Sequence, residues 1–343
     1  MSRIYAIAVI SFFFFACEKD TPETPNYNEF QENLTDDWVW IVCEGGFQAA
    51  NGSLSLYQSK DQQLYNGIYE SKNNQQLGDI FQSIAFWDDL AFLVVNNSGK
   101  IEVVNRFTLE NLGTIDGFTS PRFVEVISDT KAYVSDLFDD KISIINPLTF
   151  EITGAIKTSG WTEQMVQDNN HVFCLQSAKR MVYKINKQTD VIEDSLQIDF
   201  PNPNSLVIDT DENLWVLSGG ESWTSTPGGI TELSKTFGVL KTLEFATASS
   251  ASHLTINNNG DQLYYMQEGI KTMSISATQL PVNNLVQGSE GYYSFGLNPN
   301  NGDIYAGDAL DFVQNGKVLR YNASGTLLHE FTVGVIPGRF YFK

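Results

Sequence analysis

Residues 336–343 read IPGRFYFK: a Pro-Gly pair, then Phe340, Tyr341 and Phe342 as an aromatic strand with no pairing strand after it. An unpaired aromatic edge is a template for aggregation, so this strand needs a partner from earlier in the chain. Repetition supplies one. The segments VWIVCEG from Val39, AFLVVNN from Ala91, AYVSDLF from Ala132, VFCLQSA from Val172, LWVLSGG from Leu214, LYYMQEG from Leu263 and IYAGDAL from Ile304 each place an aromatic second: Trp40, Phe92, Tyr133, Phe173, Trp215, Tyr264 and Tyr305. Their spacings of 52, 41, 40, 42, 49 and 41 residues have the period of a propeller blade.

The surroundings repeat as well. A strand precedes these segments (SIAF at 83, FVEV at 123, SLVI at 205, HLTI at 253, SFGL at 294), joined by polar turns such as DTDEN at 209 or NPNNGD at 298. Two strands follow, as in KISIINPLTFEITGAI. Four strands per unit with no helical period predict an all-β fold: a seven-bladed β-propeller with four-stranded antiparallel blades. Continuous apolar runs fit, because neighbouring blades cover both faces of each sheet. The first unit has only polar sequence before Val39. Pro337-Gly338-Arg339-Phe340 matches Pro203-Asn204-Ser205-Leu206 and Pro121-Arg122-Phe123-Val124. The C-terminal strand is therefore expected to join the N-terminal blade as its innermost strand and close the ring.

Upstream, Arg3 precedes the apolar run Ile4 to Phe15 and then Ala16-Cys17. Twelve helical residues reach roughly 18 Å, short of the ~30 Å hydrocarbon core, so residues 1–16 read as a signal peptide rather than a span. FFAC resembles the bacterial lipobox and implies acylation of Cys17; plain secretion with a cut elsewhere is the alternative. Residues 17–37 are polar, carry Pro22 and Pro25, and read as a flexible tether reaching roughly 25 Å. Residues 38–343 remain as the propeller domain. The other cysteines, Cys43 and Cys174, fall on distant blades and are expected to be small buried residues rather than a disulfide. A net charge of -20 makes nucleic acid and anionic lipid headgroups poor partners.

The chain resembles the YncE-like propeller surface lipoproteins of Bacteroidetes. The resemblance is carried by NGSLSLY (51–57), LGDIFQSI (77–84), NNSGKIEVV (96–104), SPRF (120–123), NPNSLVID (202–209), NLWVL (213–217) and NGKVLRYNASGTLLHEFTVGVIPGRFYF (315–342). It implies a lipid-anchored outer-membrane protein exposed at the cell surface, with no enzymatic activity. The characterised BtuG-type relatives imply capture of cobalamin, as transported ligand and not as cofactor, and delivery to a TonB-dependent transporter. A protein- or glycan-binding scaffold and a metal-dependent hydrolase or lactonase are the alternatives.

Loops from second to third strand and from fourth strand to the next blade share one rim. Those at EGGFQAANG (44–52), DLFDD (136–140), SGGESWTSTPGG (218–229) and DALDFVQNG (308–316) are uneven, as a binding face would be. That rim receives the residues opening each innermost strand: Gln82, Arg122, Glu163, Asn204, His253, Tyr293 and Arg339. With Trp161, Trp223 and Phe312, and Phe47 nearby, they form the candidate ligand site, polar groups for amides and carbonyls beside flat apolar area. Satisfying nearby backbone is the competing role for Gln82, Asn204 and Arg122, and covering loops for the two tryptophans. The three histidines, His171, His253 and His329, lie in different blades without a second ligand at metal spacing, DTDEN lacks the central glycine and later glutamate of a calcium loop, and no hydrolase motif occurs. Glu163 with Asp308 is the loosest candidate for a channel metal.

Overall fold

The computed structural model describes residues 34–343 other than 36, 249 and 290. It holds seven antiparallel four-stranded sheets. Six are contiguous in sequence: residues 81–116, 121–157, 162–197, 203–244, 252–287 and 292–335, here blades 2 to 7. Blade 1 is composite. Its order is Pro337–Phe342, Trp38–Cys43, Ser53–Gln58, Gln63–Tyr65. The closing ladder pairs Val39 with Phe342, Trp40 with Tyr341, Ile41 with Phe340 and Val42 with Arg339. The signal peptide, Cys17 and the tether as far as residue 33 lie outside the described residues.

Local chemistry explains the blade. Where the third strand turns into the fourth, an Asn side chain folds back on the turn: Asn105 accepts from the amides of Phe107 and Thr108 (both 3.0 Å), Asn146 from Leu148 (2.9 Å), Asn186 from Gln188 (2.8 Å) and Asn322 from Thr326 (2.9 Å). These Asx turns stand in for backbone pairing and fix the register of the outer hairpin. The DTDEN segment uses an Asp in the same way at the inner hairpin, between the first and second strands of blade 5. Asp209 accepts from the amides of Asp211 (2.9 Å) and Asn213 (2.8 Å), and its other oxygen holds the Trp215 indole at 2.7 Å.

Cores lie between blades. Phe92, Val94 and Ile101 of blade 2 pack on Val124, Ala132 and Val134 of blade 3. At the closure, Val39, Ile41 and Tyr57 of blade 1 meet Tyr305, Val318 and Phe331 of blade 7, with Phe340 in the same cluster. Of the recurring aromatics, Trp40, Phe92, Tyr133, Phe173, Trp215 and Tyr305 are buried; in blade 6 Tyr264 is only partly buried and its neighbour Tyr265 takes the core place. Cys43 and Cys174 are both free and buried, and burial pushes the Cys43 thiol up to about 12.

One element was not anticipated. A single helix, Ile68–Asn73, fills the connection from blade 1 to blade 2 between two left-handed residues, Gly67 (φ 61) and Asn74 (φ 50). Six residues are too few to display a helical period. Its buried Tyr69 accepts from Asn111 Nδ2 at 2.8 Å, which ties it to blade 2. Neither oxygen of Glu70 makes a hydrogen bond; the nearby amides of Glu70 and Leu77 only partly offset its burial, which pushes the carboxyl up to about 7.

Phe340 is buried in the closing cluster. Phe340→Ala should cost about 3 kcal/mol and lower Tm by roughly 5 °C in a thermal unfolding scan. Removing residues 337–343 should replace one sharp transition by a broad one at lower temperature, since it strips the axial edge of Trp38–Cys43. A truncated protein that melts as sharply and at the same temperature would show that closure contributes nothing.

Candidate functional site

Each innermost strand has one residue too many. Phe81 pairs with Val95 and Ser83 with Val94, so Gln82 is unopposed; Pro203 with Ser218 and Ser205 with Leu217 leave Asn204; Tyr292 with Asp308 and Ser294 with Gly307 leave Tyr293. Shifts of the same kind separate Pro121 from Val124, Thr162 from Met165, Ser252 from Thr255, and Pro337 from Arg339. A bulge re-aims the side chains beside it. In blade 1 the extra residue is Gly338 and Arg339 beside it pairs with Val42; the bulges of the other six blades place a ring of non-equivalent, mostly polar side chains at the loop end of the channel.

The channel encloses a cavity of about 860 Å³, running from Trp161 and Ser177 on the loop rim past Arg122, Glu163, Asn204, His253 and Arg339 towards Pro299 at the opposite turns. Six of the anticipated residues thus line one cavity. Gln82 is buried behind it and accepts from Arg122 Nη1, while Arg122 Nε bonds Glu163 Oε2 at 2.8 Å. Blades 2, 3 and 4 are tied together by this chain of three side chains. Asn204 gives its amide to Ala251 O (2.8 Å), the backbone role weighed for it above, and its Oδ1 accepts from Ser205 Oγ (2.9 Å). His253 adopts φ 59 and shares a hydrogen bond with Ser252 Oγ at 2.9 Å. Burial, with the Arg339 charge adding to it, holds its imidazole down at about 3, so it is neutral at ordinary pH.

Tyr293 does not line the cavity. Its hydroxyl donates to Glu44 Oε2 at 3.0 Å and its ring meets Phe312 edge-on at 5.6 Å. Glu44 is the member that sequence reasoning missed. It follows the second strand of blade 1 and lies across Gly338, where a Cβ would sit 2.3 Å from Oε1. A signal existed: the second strands of other blades also run into polar residues, Asn96, Asp136, Gln176 and Asp308, that reach the connection into an innermost strand. Burial raises the Glu44 carboxyl above the usual range, against the pull of Arg339, the Tyr293 hydrogen bond and Arg122.

Around the mouth stand exposed aromatics: Phe47 (69% exposed), Phe138, Trp161 (47%), Trp223 (81%) and Phe312. Trp161 packs edge-on against Phe138 at 6.0 Å, a partner not anticipated from sequence. Trp223 is away from the cavity, at the tip of a loop pinched by the Glu221 and Thr226 bridge. The two carboxylates of the loose metal pair are engaged separately. Glu163 is engaged by Arg122, and Asp308 lies on Gly291 and accepts from the Leu310 amide at 2.9 Å. Among the described residues no three His, Cys, Asp or Glu side chains form a metal-holding group. His171, read from sequence as lacking a companion, sits between Asp168 and Glu193, each at 3.3 Å, away from the mouth.

The family model described as Domain of unknown function (DUF5074) matches residues 37–342. The chain belongs to this DUF5074 family. No curated protein matches this DUF5074 chain in sequence. Its backbone is similar to that of a quinonprotein alcohol dehydrogenase-like protein from Bacteroides thetaiotaomicron, at 15% identity and TM-score 0.69, over 90% of this chain and 78% of that one. A functionally unknown protein from Desulfotomaculum acetoxidans is similar at 12% identity and TM-score 0.67, over 89% and 98%. Hydrazine synthase from Kuenenia stuttgartiensis is similar at 13% identity and TM-score 0.61, over 73% and 85%. Identities this low establish the propeller alone.

Electrostatics of the channel wall gives a pH dependence. Glu125, lining the cavity and accepting from Gln167 Nε2 at 2.6 Å, is pushed by burial up to about 7, like Glu70. A folded-state pKa above the unfolded value of about 4.3 means stability present at low pH and lost as pH rises through 7. Glu125→Gln and Glu70→Gln should each leave Tm unchanged relative to wild type near pH 4 and raise it at pH 8. The ceiling is on the order of 3 kcal/mol per site. Thermal scans across this range check it; parallel curves for variant and wild type would refute it.

Proposed function

We propose that this DUF5074 protein is a non-catalytic, lipid-anchored capture protein of the outer-membrane surface. It takes up a small nutrient ligand at the loop-rim mouth of the propeller and passes it to a TonB-dependent transporter. The observation that carries this reading is the juxtaposition on one rim: a cavity of about 860 Å³ walled by Arg122, Glu163, Asn204, His253 and Arg339, bordered by Trp161, which is half exposed. Concave sites that combine flat apolar area with a few convergent polar groups suit small molecules.

A corrinoid is the ligand class we favour, in keeping with the resemblance to YncE-like surface lipoproteins. The macrocycle would lie against the rim aromatics and its amide arms would reach the polar mouth. Phe47 and Trp223 favour a second role for the same rim, contact with a partner protein, because both stand clear of the cavity and expose most of their surface.

Protein beginning after residue 20, at micromolar concentration, should comigrate with the visible absorbance of cyanocobalamin on gel filtration. Trp161→Ala should weaken that binding by about tenfold. Trp223→Ala with Phe47→Ala should leave it intact while abolishing pull-down of the transporter. Absence of comigration removes this ligand; loss of ligand binding in the double variant would mean that the cavity is not where capture occurs.

A further inference from the structure

Three arginines of this propeller are held in different ways, and one lacks what the others have. Arg320 is forked onto Asp303, with Nε at 2.8 Å and Nη2 at 2.6 Å from the same carboxylate oxygen. Arg122 is satisfied by Glu163 and Gln82. Arg339 has neither arrangement. Its guanidinium lies over the Phe123 ring, 4.6 Å from the centroid, across the channel, and its Nε is buried with no hydrogen-bond partner. No carboxylate among the described residues comes within ion-pairing distance of it.

The nearest acid is turned elsewhere. Glu44 accepts from Tyr293 at 3.0 Å and rests on Gly338, an approach that any side chain at 338 would block. Both guanidiniums nevertheless act on this corner, since Arg339 and Arg122 each favour the ionised forms of Glu44 and Tyr293. Both side chains also line the one cavity. Arg122 shares its charge with Glu163, and His253 brings none. Arg339 is left without a carboxylate partner of its own.

Leaving the buried Nε of Arg339 without an acceptor costs free energy that the fold recovers at Arg320 and Arg122. Contact with the Phe123 ring holds the guanidinium on the cavity wall, where Nε alone is buried and the terminal nitrogens can meet an entering group. This arrangement matches the two oxygens of a carboxylate or phosphate. The overall charge of -20 opposes anions, but only at a distance: beyond about 10 Å it is screened at 0.1 M salt, whereas the guanidinium acts at contact. Contact wins.

We propose that Arg339, backed by Arg122, is the receptor for an anionic oxygen group, carboxylate or phosphate, carried by the molecule that enters the channel. This deepens the capture reading and rests on it, but it does not depend on the ligand being a corrinoid.

The test is thermal unfolding and calorimetric titration of the full propeller with inorganic phosphate, succinate or chloride at matched ionic strength. For wild type, phosphate or succinate at about ten times its Kd should raise Tm by roughly 2 °C over chloride, and the stronger of the two names the group. Arg339→Gln should lose that increment relative to its own chloride baseline, and Lys235→Gln, on the opposite rim, should keep it. Arg339→Lys retains the charge without the fork and should bind about tenfold more weakly, which serves if the glutamine variant fails to fold. Equal Tm in all three salts, or an undiminished increment in either Arg339 variant, overturns the proposal whatever cyanocobalamin does. An Arg339-dependent increment without cyanocobalamin comigration upholds the anion receptor and rejects the corrinoid.

Discussion

The axial edge of Trp38–Cys43 has one source of hydrogen bonds, the six residues Pro337–Phe342. Without them blade 1 would have three strands and an open edge facing the channel, and the cluster joining blades 7 and 1 would lose Phe340. The same strand reaches the other neighbour as well, where Tyr341 meets Phe86 of blade 2 edge-on at 6.3 Å. Its pairing with Trp38–Cys43 joins opposite ends of the propeller, so the ring is complete only when the whole domain is present. Non-local pairing of this kind is costly in chain entropy and is compensated by a densely aromatic contact: Tyr57 stacks on Phe331 at 4.1 Å, and Tyr305 meets Phe342 at 5.4 Å.

Closure also decides the mouth. The strand that completes blade 1 carries Arg339, and its Gly338 provides the space in which Glu44 lies. The groups that distinguish this corner, Arg339, Glu44 and Tyr293, come from the two blades that meet at the closure, 1 and 7. On the opposite side the Gln82, Arg122 and Glu163 chain joins blades 2, 3 and 4 and consumes its own charges. Arg122 belongs to both sets, since it bonds Glu163 and Gln82 and lines the cavity with Arg339.

Blade number, closure and the ring of mouth residues were legible because they are periodic: one aromatic per unit, one polar residue at the start of each innermost strand. What was not legible is aperiodic or depends on register. The helix at Ile68–Asn73 has fewer than two turns over which a pattern could appear. Glu44 is one of several polar residues ending a second strand, and nothing in its neighbours tells that it faces the channel corner while Asp136 caps the amides of Thr119 and Ser120. The bulge is invisible in composition, yet it determines that Gln82 and Asn204 are unopposed in their ladders. Companions distant in sequence, such as Glu193 for His171, follow from strand pairing rather than spacing.

Because the unopposed residue of each innermost strand sits outside the regular ladder, its identity is decoupled from the backbone pairing within its own sheet and is free to serve contacts between sheets, as Gln82, Arg122 and Glu163 do. Gln, Asn and Tyr occupy equivalent bulge positions in three blades without altering the architecture. The side chains at this level can therefore vary one blade at a time on a constant backbone frame. Where such a residue also bridges two blades, as Arg122 does, a single substitution alters the mouth and the seam between sheets together.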